Sequence, residues 1–258
     1  MQTGVNLPNF LNMCIPTSVE MIYSHILRKG VHNNTRCIQL CHYYSSDIHP
    51  QIFSDERKTA FLNRLSKSPV IRGVKPSAFK NAAILVPLCT FNGIPSVLFT
   101  LRSPNIRRHR GQVSFPGGMT DKTDKDFIHT AIRETEEEIG ITASKITVWG
   151  EMKPLPTREG DALVVPVVAH IGEVNPSELK INPREVELIF TRTIQSLCDP
   201  KNWGITQMRL KYGYTLPVFL GGEHRIWGLT AVCLHILLLS LVPEVYNFNV
   251  HHQGMLKV

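Results

Sequence analysis

The sequence predicts a mixed α/β sandwich, and three observations carry that prediction. Apolar runs of strand length recur between turn residues, three segments read as helices, and strands and helices interleave along the chain instead of segregating. Ser54-Asp55-Glu56 opens a first helix that runs through Leu65 and leads into the domain. Ala82 to Cys89 is a near-continuous apolar run, Asn92-Gly93 is a turn signal, and Pro95 to Leu101 is strand-like, so this region predicts a hairpin. Further strands are expected at 146–152, 163–171, 187–192 and 214–219. Helices at about 124–138 and 228–241 are expected to flank the sheet.

The helix at 124–138 carries the chemistry. Phe115-Pro116-Gly117-Gly118 ends a strand-like stretch before it, and the two glycines let the backbone turn with positive φ and approach a ligand closely. Thr123 offers a cap, with acidic residues expected in the first turn. Phe127, Ala131, Ile132, Thr135 and Ile139 form an apolar stripe for packing on a sheet, and the glutamates are expected to lie largely off it. Glu134, Glu136, Glu137 and Glu138 then crowd the last turn and a half before the glycine stop at Gly140.

That is an unfavourable place for acids, because the C-terminal end of a helix disfavours each exposed carboxylate by about 0.3–1 kcal/mol. Glu134 shares one face with Glu137 and Glu138, and each like-charge pair at about 5–6 Å costs about 2–3 kcal/mol at an effective dielectric near 20. A divalent cation relieves both costs. Oxygen-only ligands suit Mg²⁺ or Mn²⁺, which are commonly held by a few carboxylates together with substrate phosphates. Glu136 faces elsewhere and reads as ordinary surface. Upstream, Arg102, Arg107, Arg108, His109 and Arg110 fall within one stretch that contains no acid. Guanidinium groups bind phosphate oxygens in pairs, so this stretch reads as a phosphate contact, with Arg102 and Arg107 foremost.

Gly118, Asp124 and Arg133-Glu134-Thr135-Glu136-Glu137-Glu138-Ile139-Gly140-Ile141 together resemble the Nudix box, the loop-helix-loop metal site of hydrolases that cleave nucleoside diphosphates linked to another moiety. The spacing before the arginine is one residue longer than in the common box, Asp124 replaces its Glu, and Thr135 replaces an aliphatic residue. Leu98-Phe99-Thr100-Leu101-Arg102-Ser103, Arg107, Gly111 and Phe115-Pro116-Gly117-Gly118 are similar to the signature of the coenzyme A diphosphatase branch, and of its animal mitochondrial members in particular. Tyr214 to Phe219 and Arg225 to Ala231 resemble the C-terminal part of the same enzymes.

The resemblance implies a Nudix-type α/β/α sandwich with a mixed β-sheet over residues 79–245. It implies metal ligation by Glu134, Glu137 and Glu138, with Mg²⁺ or Mn²⁺ as cofactor. It further implies substrate binding by Arg102, Arg107, Gly117 and Gly118, and a catalytic group of Glu137, Glu138 and Arg133. The proton acceptor is then Glu137 or Glu138, or a carboxylate from another loop, for which Glu185 and Glu187 are local candidates. Arg133 is expected to orient the helix glutamates through a charge pair. The implied reaction cleaves coenzyme A or its thioesters to phosphopantetheine and adenosine 3′,5′-bisphosphate. ADP-ribose or NADH hydrolysis, and a non-catalytic module binding nucleotide or RNA, are the alternatives.

The rest of the chain bounds these readings. A chain of 258 residues is long enough for one substantial core plus an extension. The net charge of +7 suits a phosphate-rich small molecule, and neither a nucleic-acid partner nor a membrane is expected. The apolar stretch Leu229 to Val242 is too short to cross a bilayer of about 30 Å and reads as a packed core helix. Cys14, Cys37, Cys41, Cys89, Cys198 and Cys233 form no Cys-x-x-Cys pair, so reduced thiols are expected. Residues 1–50 read as an N-terminal extension, because 21–46 contain arginine, lysine, serine and histidine without Asp or Glu, the composition of a mitochondrial transit segment. A matrix address follows from it, with cytoplasm or peroxisome as alternatives. Residues 51–78 form the leading helix and linker, and 246–258 a C-terminal tail. No Gly-x-x-x-x-Gly-Lys-Ser/Thr loop, His-Glu-x-x-His helix or Gly-x-Ser-x-Gly elbow is present.

Overall fold

The computed structural model describes residues 48–68, 80–106, 109–157, 162–208 and 214–250. In chain order the elements are helix α1 (Asp55–Ser66), strands β1 (Lys80–Phe91), β2 (Ile94–Arg102), β3 (Val113–Ser114) and β4 (Gly117–Met119), helix α2 (Phe127–Ile139), strands β5 (Thr147–Glu151), β6 (Leu155–Pro156), β7 (Ala162–Glu173) and β8 (Val186–Thr193), helix α3 (Ile194–Cys198), strands β9 (Trp203–Met208) and β10 (Tyr214–Phe219), and helix α4 (Gly228–Leu241).

Eight strands form one sheet with β1 at its middle. β1 pairs antiparallel with β2 and β4 but parallel with β7, which makes the sheet mixed. The β1–β2 turn places Asn92 at φ 52° and Gly93 at φ 72°, the two positive angles that a tight two-residue hairpin needs. β8 joins the far edge of β2 antiparallel, while β5 and β6 join β7. β9 and β10 form a separate antiparallel pair.

The alternation of side chains along β1 and β2 divides the interior in two. Ala83, Leu85 and Leu98 pack with Ala131 and Ile139 of α2 on one face of the sheet. Val86, Leu88, Val97 and Phe99 pack on the other face with Phe61 and Leu65 of α1 and with Leu234, Leu237 and Leu238 of α4. Both faces are buried, which is why these strands read as continuous apolar runs. The result is a helix/sheet/helix sandwich. Among the described residues no helix is long and apolar enough to cross a membrane.

Three expectations need correction. The helix expected from residue 124 begins at Phe127, capped by Asp126, whose side chain accepts from the His129 N–H at 2.7 Å. No acid lies in its first turn, because the loop before it uses Asp124 for another purpose. Gly117 takes the expected positive φ, 149°, but the Gly117-Gly118 pair makes no turn and lies in β4 against Ala83 and Ile84. Glycine is required there by close approach, since a Cβ at 117 would sit 2.4 Å from the Ala83 carbonyl oxygen. Finally, Glu138 belongs to the packed face of α2 and is only 2% exposed. The strand β9 was not expected; its Thr-Gln-Met end lacks an apolar alternation.

Candidate functional site

The site forms where the C-terminal turns of α2 meet β4, the end of β2 and the loop before β8. α2 ends at Gly140, which takes φ 72° and donates its N–H to the Glu136 carbonyl at 3.0 Å. This left-handed cap stops the helix just after the glutamates. Thr135, where the related box has an aliphatic residue, is fully buried and donates its hydroxyl to the Ala131 carbonyl at 2.6 Å, so its polarity is satisfied within the helix.

One carboxylate oxygen each from Glu134, Glu138 and Glu185 lies within 4.8 Å of the others. Glu134 and Glu138 come from one face of α2, four residues apart. Glu185 arrives from the loop before β8, 47 residues after Glu138 in the chain. Glu137 does not join this group. Its side chain is 58% exposed and accepts from Arg133 Nη1 at 3.2 Å. Glu187 is exposed on β8 and is not one of the three.

Burial sets the electrostatics. It pushes the Glu138 carboxyl up to about 8, helped by the charges of Glu185 and Glu134 and opposed by Arg102 and the Gly117 N–H. Burial also raises Glu134, although Arg133 beside it acts in the other direction. Glu138 Oε2 accepts from the Gly117 N–H at 3.2 Å, and its Oε1 lies 4.0 Å from Arg102 Nη1. The second glycine lets Glu134 sit flat against the strand: a Cβ at 118 would fall 2.5 Å from its carboxyl carbon. Gly118 thus shapes the site by leaving room for the Glu134 carboxylate, and Gly117 by presenting its N–H to Glu138.

Arg133 is a strut. Its Nε and Nη2 donate to the two oxygens of Asp124 at 2.9 and 3.0 Å, Nη2 also reaches the Met119 carbonyl at 3.2 Å, and Nη1 pairs with Glu134 at 2.9 Å. Asp124 is nearly closed to solvent and accepts further bonds from Thr130 and His129 at 2.8 and 2.9 Å. The Arg133 guanidinium and these donors hold its carboxyl far below the usual range. Asp124 therefore anchors Arg133, and Arg133 fixes Glu134 and Glu137.

Arg102 is the other cation facing the group. Its Nε is buried and has no hydrogen-bond partner. An orphaned buried donor is costly until an acceptor meets it. Arg107 lies outside the described residues.

Three like-charged groups held together by packing fit a hard divalent cation, and their all-oxygen donor set suits Mg²⁺ or Mn²⁺. Asp124 and Glu185 are the two site residues whose roles spacing alone left open. For Glu185, the turn signal Asn182-Pro183 just before it was the available clue.

Residues 79–203 match the family model of the NUDIX domain. The mitochondrial coenzyme A diphosphatase NUDT8 of Mus musculus is 46% identical over 169 residues, which cover 64% of this chain and 80% of that protein. Its counterpart of the same name from Homo sapiens is 45% identical over 170 residues, covering 65% of this chain and 72% of that one. Nudix hydrolase 3 of Caenorhabditis elegans is 37% identical over 220 residues, covering 77% of this chain and 90% of that protein.

Proposed function

The chain belongs to the Nudix hydrolase family, and on that premise we propose that it hydrolyses the diphosphate bond of coenzyme A, its acyl thioesters, or both. The products are phosphopantetheine, acylated where the substrate is, and adenosine 3′,5′-bisphosphate. The observation that carries the hydrolytic reading is the convergence of Glu134, Glu138 and Glu185 beside the unfilled donor of Arg102. Coenzyme A as substrate is supported by the stretch Leu98–Gly118 and by the names of two relatives.

Glu134, Glu138 and Glu185 would hold Mg²⁺ or Mn²⁺. Such an ion, when bound, supplies charge neutralisation for the diphosphate and a water of lowered pKa. Arg102, whose Nη1 faces the group beside Glu138, binds a diphosphate oxygen through its guanidinium and so aligns the scissile bond, a positioning role suited to phosphoryl chemistry. Arg133, anchored by Asp124, holds Glu134 and Glu137 in place. The proton of the attacking water goes to Glu138, inside the group, or to Glu137, at its edge. The pH profiles of Glu137→Gln and Glu138→Gln separate these two.

We assign catalysis to residues 79–245 and a matrix-directing role to residues 1–50, whose stretch 21–46 is basic and acid-free. The mitochondrial names of the mouse and human relatives support that address.

The test is a turnover panel with the purified protein. Coenzyme A, acetyl-coenzyme A, dephospho-coenzyme A, ADP-ribose and NADH are compared with Mg²⁺ and with Mn²⁺. The proposal expects the coenzyme A compounds to have the highest kcat/KM and no turnover in excess EDTA. A higher kcat/KM for ADP-ribose or NADH would overturn the substrate assignment.

A further inference from the structure

We propose that Asn182 is a positioning residue that carries Glu185 into the carboxylate group. The inference rests on Glu185 being a ligand there, as read above. Unlike Glu134 and Glu138, Glu185 has no helix to aim it. It sits on a loop, and the loop must be tied to α2 if the third oxygen is to stay within 4.8 Å of the others.

Asn182 supplies the tie on both sides. Its N–H donates to the Glu138 carbonyl at 2.8 Å, one of the carbonyls left over where α2 ends. Its own carbonyl accepts the N–H groups of Glu185 and Val186 at 3.0 and 2.9 Å. The same residue thus bonds the backbone of one ligand residue and the backbone of another. Its side chain closes the loop as well, with Oδ1 accepting the Arg184 N–H at 3.2 Å. Asn182-Pro183-Arg184-Glu185 is a four-residue turn with Asn first and Pro second, the residue types favoured at those positions. Two contacts leave the loop little freedom. Ser103 donates its N–H to the Glu185 carbonyl at 2.8 Å, next to Arg102, and Lys180 lies against Gly140, where a Cβ would come within 3.1 Å of the lysine Cβ.

The backbone bonds of Asn182 survive substitution in principle, but the turn that aligns them depends on the side-chain acceptor. Asn182→Ala removes it, whereas Asn182→Asp keeps an oxygen in the same place. The measurement is Mn²⁺ affinity of the full chain, followed by the loss of the free-ion paramagnetic resonance signal. It is paired with kcat on coenzyme A and with the melting temperature in EDTA. Groups that orient metal ligands typically change affinity or activity by about 10–100-fold when removed. Asn182→Ala should weaken Mn²⁺ binding by about that factor, Asn182→Asp should restore most of it, and the melting temperature in EDTA should move little. The decisive arm is the Glu185→Gln background, where Asn182→Ala should have no further effect on Mn²⁺ affinity. An equal loss in both backgrounds, or wild-type affinity in Asn182→Ala, would overturn the proposal. If Glu138→Gln and Glu185→Gln both bind Mn²⁺ as the parent does, the metal site itself is wrong and the role of Asn182 falls with it. If those two lose affinity while Asn182→Ala does not, only the positioning role falls.

Discussion

Replacing Glu138 by glutamine should stabilise the metal-free protein, and should do so only when the pH is high. Glu138 is 2% exposed, and its carboxylate accepts from the Gly117 N–H, with Arg102 at 4.0 Å. Burial raises its carboxyl from the ordinary 4.5 to about 8. A carboxyl raised on folding binds its proton more tightly in the native state, so stability falls as pH climbs from 4.5 and levels off above about 8. At about 1.36 kcal/mol per pH unit, the full penalty is about 5 kcal/mol, of which under about 1 is present at pH 5 and about 4 at pH 8. Glutamine keeps an oxygen for the Gly117 N–H and never ionises. In EDTA, denaturant unfolding should therefore find Glu138→Gln close to the parent at pH 5 and several kcal/mol more stable at pH 8. In a thermal scan that gain is roughly 8–16 °C for a domain of this size. Saturating Mg²⁺ should close the gap by stabilising the parent alone. A gap that is the same at both pH values, or a variant less stable than the parent at pH 8, would refute the claim that burial of this charge opposes folding.

Gly118→Ala should fold, because φ there is not in the left-handed region, yet its Cβ would meet the Glu134 carboxyl at 2.5 Å and displace it; Mn²⁺ affinity should fall by about 10-fold or more while the EDTA melting temperature holds. Arg102→Ala should raise KM for coenzyme A far more than it alters Mn²⁺ affinity, which steady-state kinetics and metal titration together decide. Asp124→Asn should lower turnover by freeing Arg133, and the stability that Asp124 contributes, present above its ordinary 3.8, should fade as pH drops further below it; an acid titration of parent and variant compares the two. Leu237→Ala, in the fully buried interior of α4, should cost about 2–5 kcal/mol in denaturant unfolding and leave KM unchanged.

The sandwich was legible because its driving force is written locally. Each strand buried on both faces reads as an apolar run, the Asn92-Gly93 turn carries its own positive φ preference, and Gly140 stops α2 where a glycine should. The α2 half of the site was legible for the same reason, since a spacing of four residues on a helix is a distance. Glu185 was only one candidate of two, because a loop has no period: its place depends on the bond from Asn182 to the end of α2, and no spacing rule connects positions 47 residues apart. Spacing named Glu137 and Glu138 alike, and only Glu138 stands in the carboxylate group. Both sit at the helix end, but Glu138 turns inward to the Gly117 N–H and Glu137 turns outward to Arg133. Whether a crowded acid becomes a ligand is therefore decided by what lies across from the helix. In this chain that is a glycine strand, whose missing side chain at 118 leaves room for the Glu134 carboxylate and whose N–H at 117 meets Glu138, and the guanidinium of Arg102 beside them.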